Sequence, residues 1–155
     1  MAGVLSALIA VLGTLLGVAV THLFQRRAAA RDQMVAAQRQ LRSERMTVYS
    51  DFAGTVTEFR RGQHDRWHRR DEDPDGPACL EARVEAYRLR GVALHALFRV
   101  QLIASSQTVI DAARHAYELT AGVHEASDRT ELSALGNRAR DALEHFVKLA
   151  SSDVR

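Results

Sequence analysis

Leu80-Glu81-Ala82-Arg83-Val84-Glu85-Ala86-Tyr87-Arg88-Leu89-Arg90-Gly91-Val92-Ala93-Leu94-His95-Ala96-Leu97-Phe98-Arg99-Val100-Gln101-Leu102 decides the fold class. Leu80, Val84, Tyr87, Gly91, Leu94, Phe98 and Leu102 follow one another at steps of four and three, the spacing of one helical face. Leu89, Val92, Leu97 and Val100 form a second apolar line, so the spacing predicts a central helix buried on two sides. No Val-, Ile- and Thr-rich alternating run argues for a strand anywhere in the chain. The body reads as all-α.

Working outward, Asp73-Pro74-Asp75-Gly76-Pro77 holds both prolines of the chain and marks its clearest turn. Upstream of it, Tyr49, Phe52, Val56 and Phe59 step by three, four and three, with Leu41 and Val48 extending the stripe less cleanly. Downstream, Ser105-Ser106 offers an N-cap ahead of Val109, Ile110, Ala113 and Tyr117. A last helix carries Leu132, Leu135, Ala139, Leu143, Phe146 and Ala150, with Ser127 or Asp128 as its cap. Helices are expected over about 41–71, 78–102, 106–122 and 128–150, joined by short loops, which favours an antiparallel up-down bundle. Residues 152–155 form a tail.

Residues 2–24, from Ala2 to Phe24, contain no charged side chain. As a helix, this stretch is roughly 34 Å long, enough to cross a ~30 Å hydrocarbon layer. Arg26, Arg27 and Arg31 follow at once, then Arg39, Arg42 and Arg45, and nothing basic precedes the run except the initiator amine. Basic flanks stay in the cytoplasm. The expected protein is therefore a single-pass inner-membrane one, N-terminus outside, with an anchor (1–24), a basic helical linker (25–40) and a cytoplasmic bundle (41–151). The transmembrane helix continues into the long first helix of the body. Secretion after cleavage is the alternative, with Ala28 and Ala30 mimicking a cleavage site, but two arginines separate them from the apolar run.

Small residues in the span fall on a line. Gly3, Ala10 and Gly17 repeat every seven, Ser6 and Gly13 lie on an adjoining line, and Gly13 with Gly17 forms a GxxxG unit. Such a face lets two helix backbones approach closely in lipid, so self-association is expected through it.

Residues 26–70 carry eleven arginines against five acids, whereas residues 71–155 carry ten bases against fourteen acids. The basic half begins at the membrane, so Arg26, Arg27 and Arg31 are candidate contacts for anionic lipid. The same imbalance would also let a basic helix pack against acidic ones. Nucleic acid is less well supported, because no dense basic face with polar or aromatic readers is present. Cys79 stands alone, which excludes an internal disulfide and fits a reducing compartment.

One stretch invites a chemical test: Arg60-Arg61-Gly62-Gln63-His64-Asp65-Arg66-Trp67-His68-Arg69-Arg70. His64 and His68 share a helical face at the i, i+4 spacing used for zinc, and the segment echoes HExxH with Asp in place of Glu. Five arginines oppose a dication there, and no third ligand is identifiable. The favoured reading is a solvated helix end with Trp67 covering the end of the bundle. His95, on a helix that reads as mostly buried, is expected to be a hydrogen-bonded structural residue. Phosphate-binding glycine clusters, G-x-S-x-G and paired cysteines are absent from the sequence. No catalytic, metal or cofactor-binding residue is assigned, and no cofactor is expected.

Val11-Leu12-Gly13-Thr14-Leu15-Leu16-Gly17, then Leu23-Phe24-Gln25 and an Arg/Ala run, resembles a group of small actinomycete membrane proteins. Arg66-Trp67 before the acidic turn and the Arg83–Arg90 stretch are similar to the same group. Some members are called KilB-like, after plasmid proteins linked to intramycelial spread of conjugative plasmids. Where that group has proline between the second and third helices, this chain has Ser105-Ser106. The resemblance implies a membrane-associated accessory of plasmid spread without known catalysis, and it carries no functional residue over. The expected partners are the lipid bilayer and either a second copy or another membrane or transfer protein.

Overall fold

The computed structural model describes the backbone from Ala2 to Arg155 and side chains from Gln33 onward. The expectations for the apolar run, for the line Gly3, Ser6, Ala10, Gly13 and Gly17, and for Arg26, Arg27 and Arg31 rest on side chains outside the described ones. The described residues form four α-helices and one short 3-10 turn: α1 (Ala2–Glu72), α2 (Pro77–Ile103), α3 (Gln107–Gly122), the turn Val123–Glu125, and α4 (Arg129–Asp153). No strand occurs among the described residues. Among them, too, no helix is long and apolar enough to cross a membrane. The chain divides into two compact units, residues 1–41 and residues 42–155.

In the second unit the stripe on α1 forms the core. Tyr49, Phe52, Val56 and Phe59 are buried, and Phe52 and Phe59 are wholly so. Phe146 of α4 stands edge-on to Phe52 with ring centroids 4.8 Å apart, and Phe59 faces Tyr117 of α3 at 5.9 Å. Each such side chain contributes about 1.5–3 kcal/mol through the apolar surface it removes from water. A second cluster, of Trp67, Val123, Ala126, Leu132 and Ala139, closes the other end of the unit.

Contacts show which helix ends meet. Arg45 of α1 donates to the carbonyl of Ile103 at the end of α2, while Gly62 lies against Leu89 in its first half. Tyr49 reaches Asp153 at the end of α4, while Arg60 reaches the Gly136 carbonyl near its start.

Local chemistry explains the helix ends. The Asp73 N–H still bonds to the Arg69 carbonyl, Gly76 N–H bonds back to Asp73, and Pro77 opens α2 where a helix needs no N–H. Ser106 occupies the N-cap position of α3, but it makes no side-chain cap. Its hydroxyl instead sits 2.6 Å from that of Thr108. For α4 the cap is Asp128, whose carboxylate accepts from the Thr130 and Glu131 N–H groups at 2.8 Å each. Glu131 in turn accepts from the N–H and hydroxyl of Ser127, so both sequence candidates take part in starting the helix.

One expectation is overturned on α2. Leu80, Val84, Tyr87, Phe98 and Leu102 are exposed, and Val92 of the second line is exposed as well. The buried face consists of Ala82, Ala86, Ala93, Ala96, Leu97 and Val100. Its four alanines let α2 approach its neighbours closely, with Leu97 and Val100 beside them, while Leu80, Val84, Tyr87, Phe98 and Leu102 point away. His95 is likewise exposed rather than held in the core.

Candidate functional site

Three places in the second unit gather polar groups, space or apolar surface. At one end of α1, Gln63 is buried, with its amide donating to the Ala121 carbonyl at 2.6 Å and lying 3.1 Å from Nδ1 of His124. Its Oε1 and the Nε of Arg60 have no hydrogen-bond partner. His64 is half-buried against α4: a Cβ on Gly136 would come within 2.6 Å of its Nε2. Burial, then the charges of Arg60 and His68, hold the His64 imidazole below its ordinary pKa. Burial followed by Arg66 does the same for His124. His68 is exposed, with its ring edge-on to Trp67 at 5.1 Å.

The residues that share a helix face in the sequence are thus separated in role. His64 wedges two helices together, and His68 decorates a surface. Among the described residues, no group of three or more His, Cys, Asp and Glu could hold a metal ion. Trp67 is buried and donates its indole N–H to the Ala126 carbonyl at 2.7 Å, covering this end of the bundle. Arg70 donates to the same carbonyl at 3.1 Å.

At the opposite end stands a clasp that the sequence reading missed. Asp153 accepts from the Tyr49 hydroxyl at 2.6 Å and from the Ser105 hydroxyl, with Arg45 at 3.9 Å. Three separate chain segments meet on one carboxylate that is nearly closed to solvent. Burial alone would raise its pKa, but the hydrogen bonds from Ser105 and Tyr49, with Arg45, bring it below the ordinary value. Burial, then the Asp153 hydrogen bond, pushes the Tyr49 phenol up. No pattern of spacing links residues 49, 105 and 153, so only the fold reveals them.

Beside the clasp, α1 and α4 leave a groove of about 310 Å³ lined by Met46, Phe146, Val147 and Val154, with Arg42 and Arg155 among its walls. The groove is mainly apolar and lacks the convergent polar groups that orient a small ligand. The third place is the outward face of α2, a row of large apolar side chains left exposed among the described residues.

Residues 46–154 match the family described as the KilB plasmid transfer protein. The chain belongs to that family. The KilB match begins at Met46 and ends at Val154, so it covers nearly all of the second unit, from the clasp to the Trp67 end. No curated protein and no solved structure matches the chain. The KilB membership ties this helical unit to plasmid spread, as the resemblance in the sequence implied.

Proposed function

We propose that the chain is a non-enzymatic, single-pass membrane accessory of plasmid spread whose helical unit, on the cytoplasmic side, binds a partner protein. The observation that carries this reading is the KilB match over residues 46–154, which falls on the unit with exposed apolar surface and not on the apolar run. The run from Ala2 to Phe24, free of charge and followed by arginines, supports the anchor and its direction. Antiparallel order of neighbouring helices is supported by the meeting of Arg45 with Ile103 and of Gly62 with Leu89. Gln63, His64, Trp67 and Asp153 each bond or wedge one helix to another chain segment. That use of these side chains supports recognition by surface as the unit's role.

A deletion test decides the matter. Loss of the gene from a conjugative plasmid should shrink the zone of spread within the recipient, and the full-length chain should restore it. Restoration by residues 42–155 alone would overturn the anchored form of the proposal. Undiminished spread in the deletion would overturn the functional reading as a whole.

A further inference from the structure

The groove beside the clasp does not end there. A second cavity of about 370 Å³ lies between α1 and α4, and it shares Ala53 and Val147 with the first, so the groove is continuous. Tyr49 meets Asp153 and Arg60 meets Gly136, so the two helices run in opposite directions along it. From Arg42 to Arg60, α1 rises about 27 Å beside the groove. The floor is small: Ser50, Ala53 and Thr57 come from α1, and Ala150 and Ser151 from α4. Thr57 and Ser151 bond their hydroxyls back to their own helices, which leaves the floor little to offer a polar ligand. Met46 and Val147, 55% and 47% exposed, stand on the two walls.

Charge gathers at both ends instead. Arg42 and Arg155 line one end and Arg60 and Arg140 the other, against Glu144 as the acidic side chain of the lining. Arg42, Arg60 and Arg155 enter no ion pair among the described residues. The Arg60 guanidinium donates to the Gly136 carbonyl at 3.3 Å, and its Nε has no partner. Arg140 comes no nearer than 3.7 Å to Glu144, and both are exposed.

We propose that this groove receives an amphipathic helix of a partner protein, its apolar face between α1 and α4 and its carboxylates on the arginines at both ends. This names the surface and the chemistry of the partner, and it rests on the reading of the unit as one that binds a partner protein. A groove about 27 Å long accepts a helix of about 18 residues. An acyl chain carries one charged head, so it leaves the second pair of arginines unanswered. A second copy of this chain is a poorer match, because residues 80–102, which hold its exposed apolar face, carry four arginines against two glutamates. Carboxylates at both ends suit the groove, and excess guanidinium does not.

The test uses the full-length chain in phosphatidylcholine nanodiscs. Its probe is a helical peptide of about 18 residues with leucines at steps of three and four, glutamates at both ends and a benzophenone at its centre. Illumination should attach the peptide at Met46 or Val147, as mapped by mass spectrometry. The same peptide with lysines in place of the glutamates should attach about tenfold less, because like charges across an interface repel. Arg42→Glu combined with Arg140→Glu should reverse that preference, and circular dichroism should stay native, since both side chains are exposed. Equal attachment of the two peptides, or attachment mapped to the outward face of α2, would overturn the proposal. So would a photoactivatable fatty acid that labels Met46 and Val147 and displaces the acidic peptide. Labelling is read without reference to plasmid spread, so its failure leaves the deletion test to judge the unit's function.

Discussion

Asp153 shows how one carboxylate can organise a bundle end. Its charge is sustained by Tyr49, Ser105 and Arg45, and it ties the middle of α1 and the loop before α3 to the end of α4. Tyr49→Phe leaves the ring in place but removes one donor from a shielded acceptor. The expected cost is about 1–3 kcal/mol, measured as a shift in urea unfolding of the full-length chain in detergent. An unchanged midpoint would mean the carboxylate is satisfied without it. The histidines set a pH window. His64 and His124 are held below the ordinary imidazole pKa, so the folded state binds fewer protons than the unfolded chain there. Their contribution is complete above the unfolded value of about 6.5 and is lost as pH falls through the lowered folded values. Asp153 adds a second loss at lower pH, below the ordinary carboxylate value, by the same sign. The unfolding midpoint should therefore be flat between about pH 7 and pH 9, fall again above about pH 10 where the raised Tyr49 phenol stays protonated in the fold, and decline below about pH 6.5, and His64→Gln should flatten the first part of the acid decline. A midpoint that rises on mild acidification would contradict both assignments.

At the scale of elements, spacing located the helices of the body but did not choose which side of α2 faces inward. On α1 the large apolar residues fall on one stripe only, so Tyr49, Phe52, Val56 and Phe59 had one place to go. On α2 the larger line competed with Ala82, Ala86, Ala93 and Ala96, which recur at steps of four, seven and three. Alanine adds little to a hydropathy pattern, yet it permits the closest helix approach. The fold spends the small side on its neighbours. Ala93→Leu should therefore destabilise by about 1–3 kcal/mol through overpacking, whereas Leu102→Ala should change stability by no more than about 0.5 kcal/mol. Thermal unfolding of the two variants side by side checks the assignment of faces, and the reverse order would sink it. Helix starts were half legible. Ser and Asp at the right places marked both α3 and α4, but only Asp128 aims its oxygen at free N–H groups. Asp128→Ala should cost about 1 kcal/mol, as loss of a working cap does.

At the scale of the whole molecule, the division of charge between the halves of the sequence has a limited part in packing among the described residues. Most of the ion pairs described join residues three or four apart on one helix and are exposed, where such pairs are worth little. Arg45 with Asp153 is the pair that carries a basic residue of α1 to an acidic one of α4. The membrane arrangement proposed above gives the arginines after the apolar run a role of their own. Basic residues flanking a span are drawn to stay in the cytoplasm, and short flanks exert the strongest bias. A reporter fused behind Arg155 should accordingly be active in the cytoplasm and silent outside it. Changing Arg26, Arg27 and Arg31 to glutamine while placing three arginines ahead of Ala2 should move part of the population to the opposite orientation, because the bias counts positive charge on each side. If the reporter kept its side after that exchange, the remaining arginines at 39, 42 and 45 would have to hold the orientation. Replacing those in turn would test the claim to its end. If the unaltered fusion were active only outside, the bundle could not meet a cytoplasmic partner, and the membrane arrangement proposed for this KilB chain would fall with it.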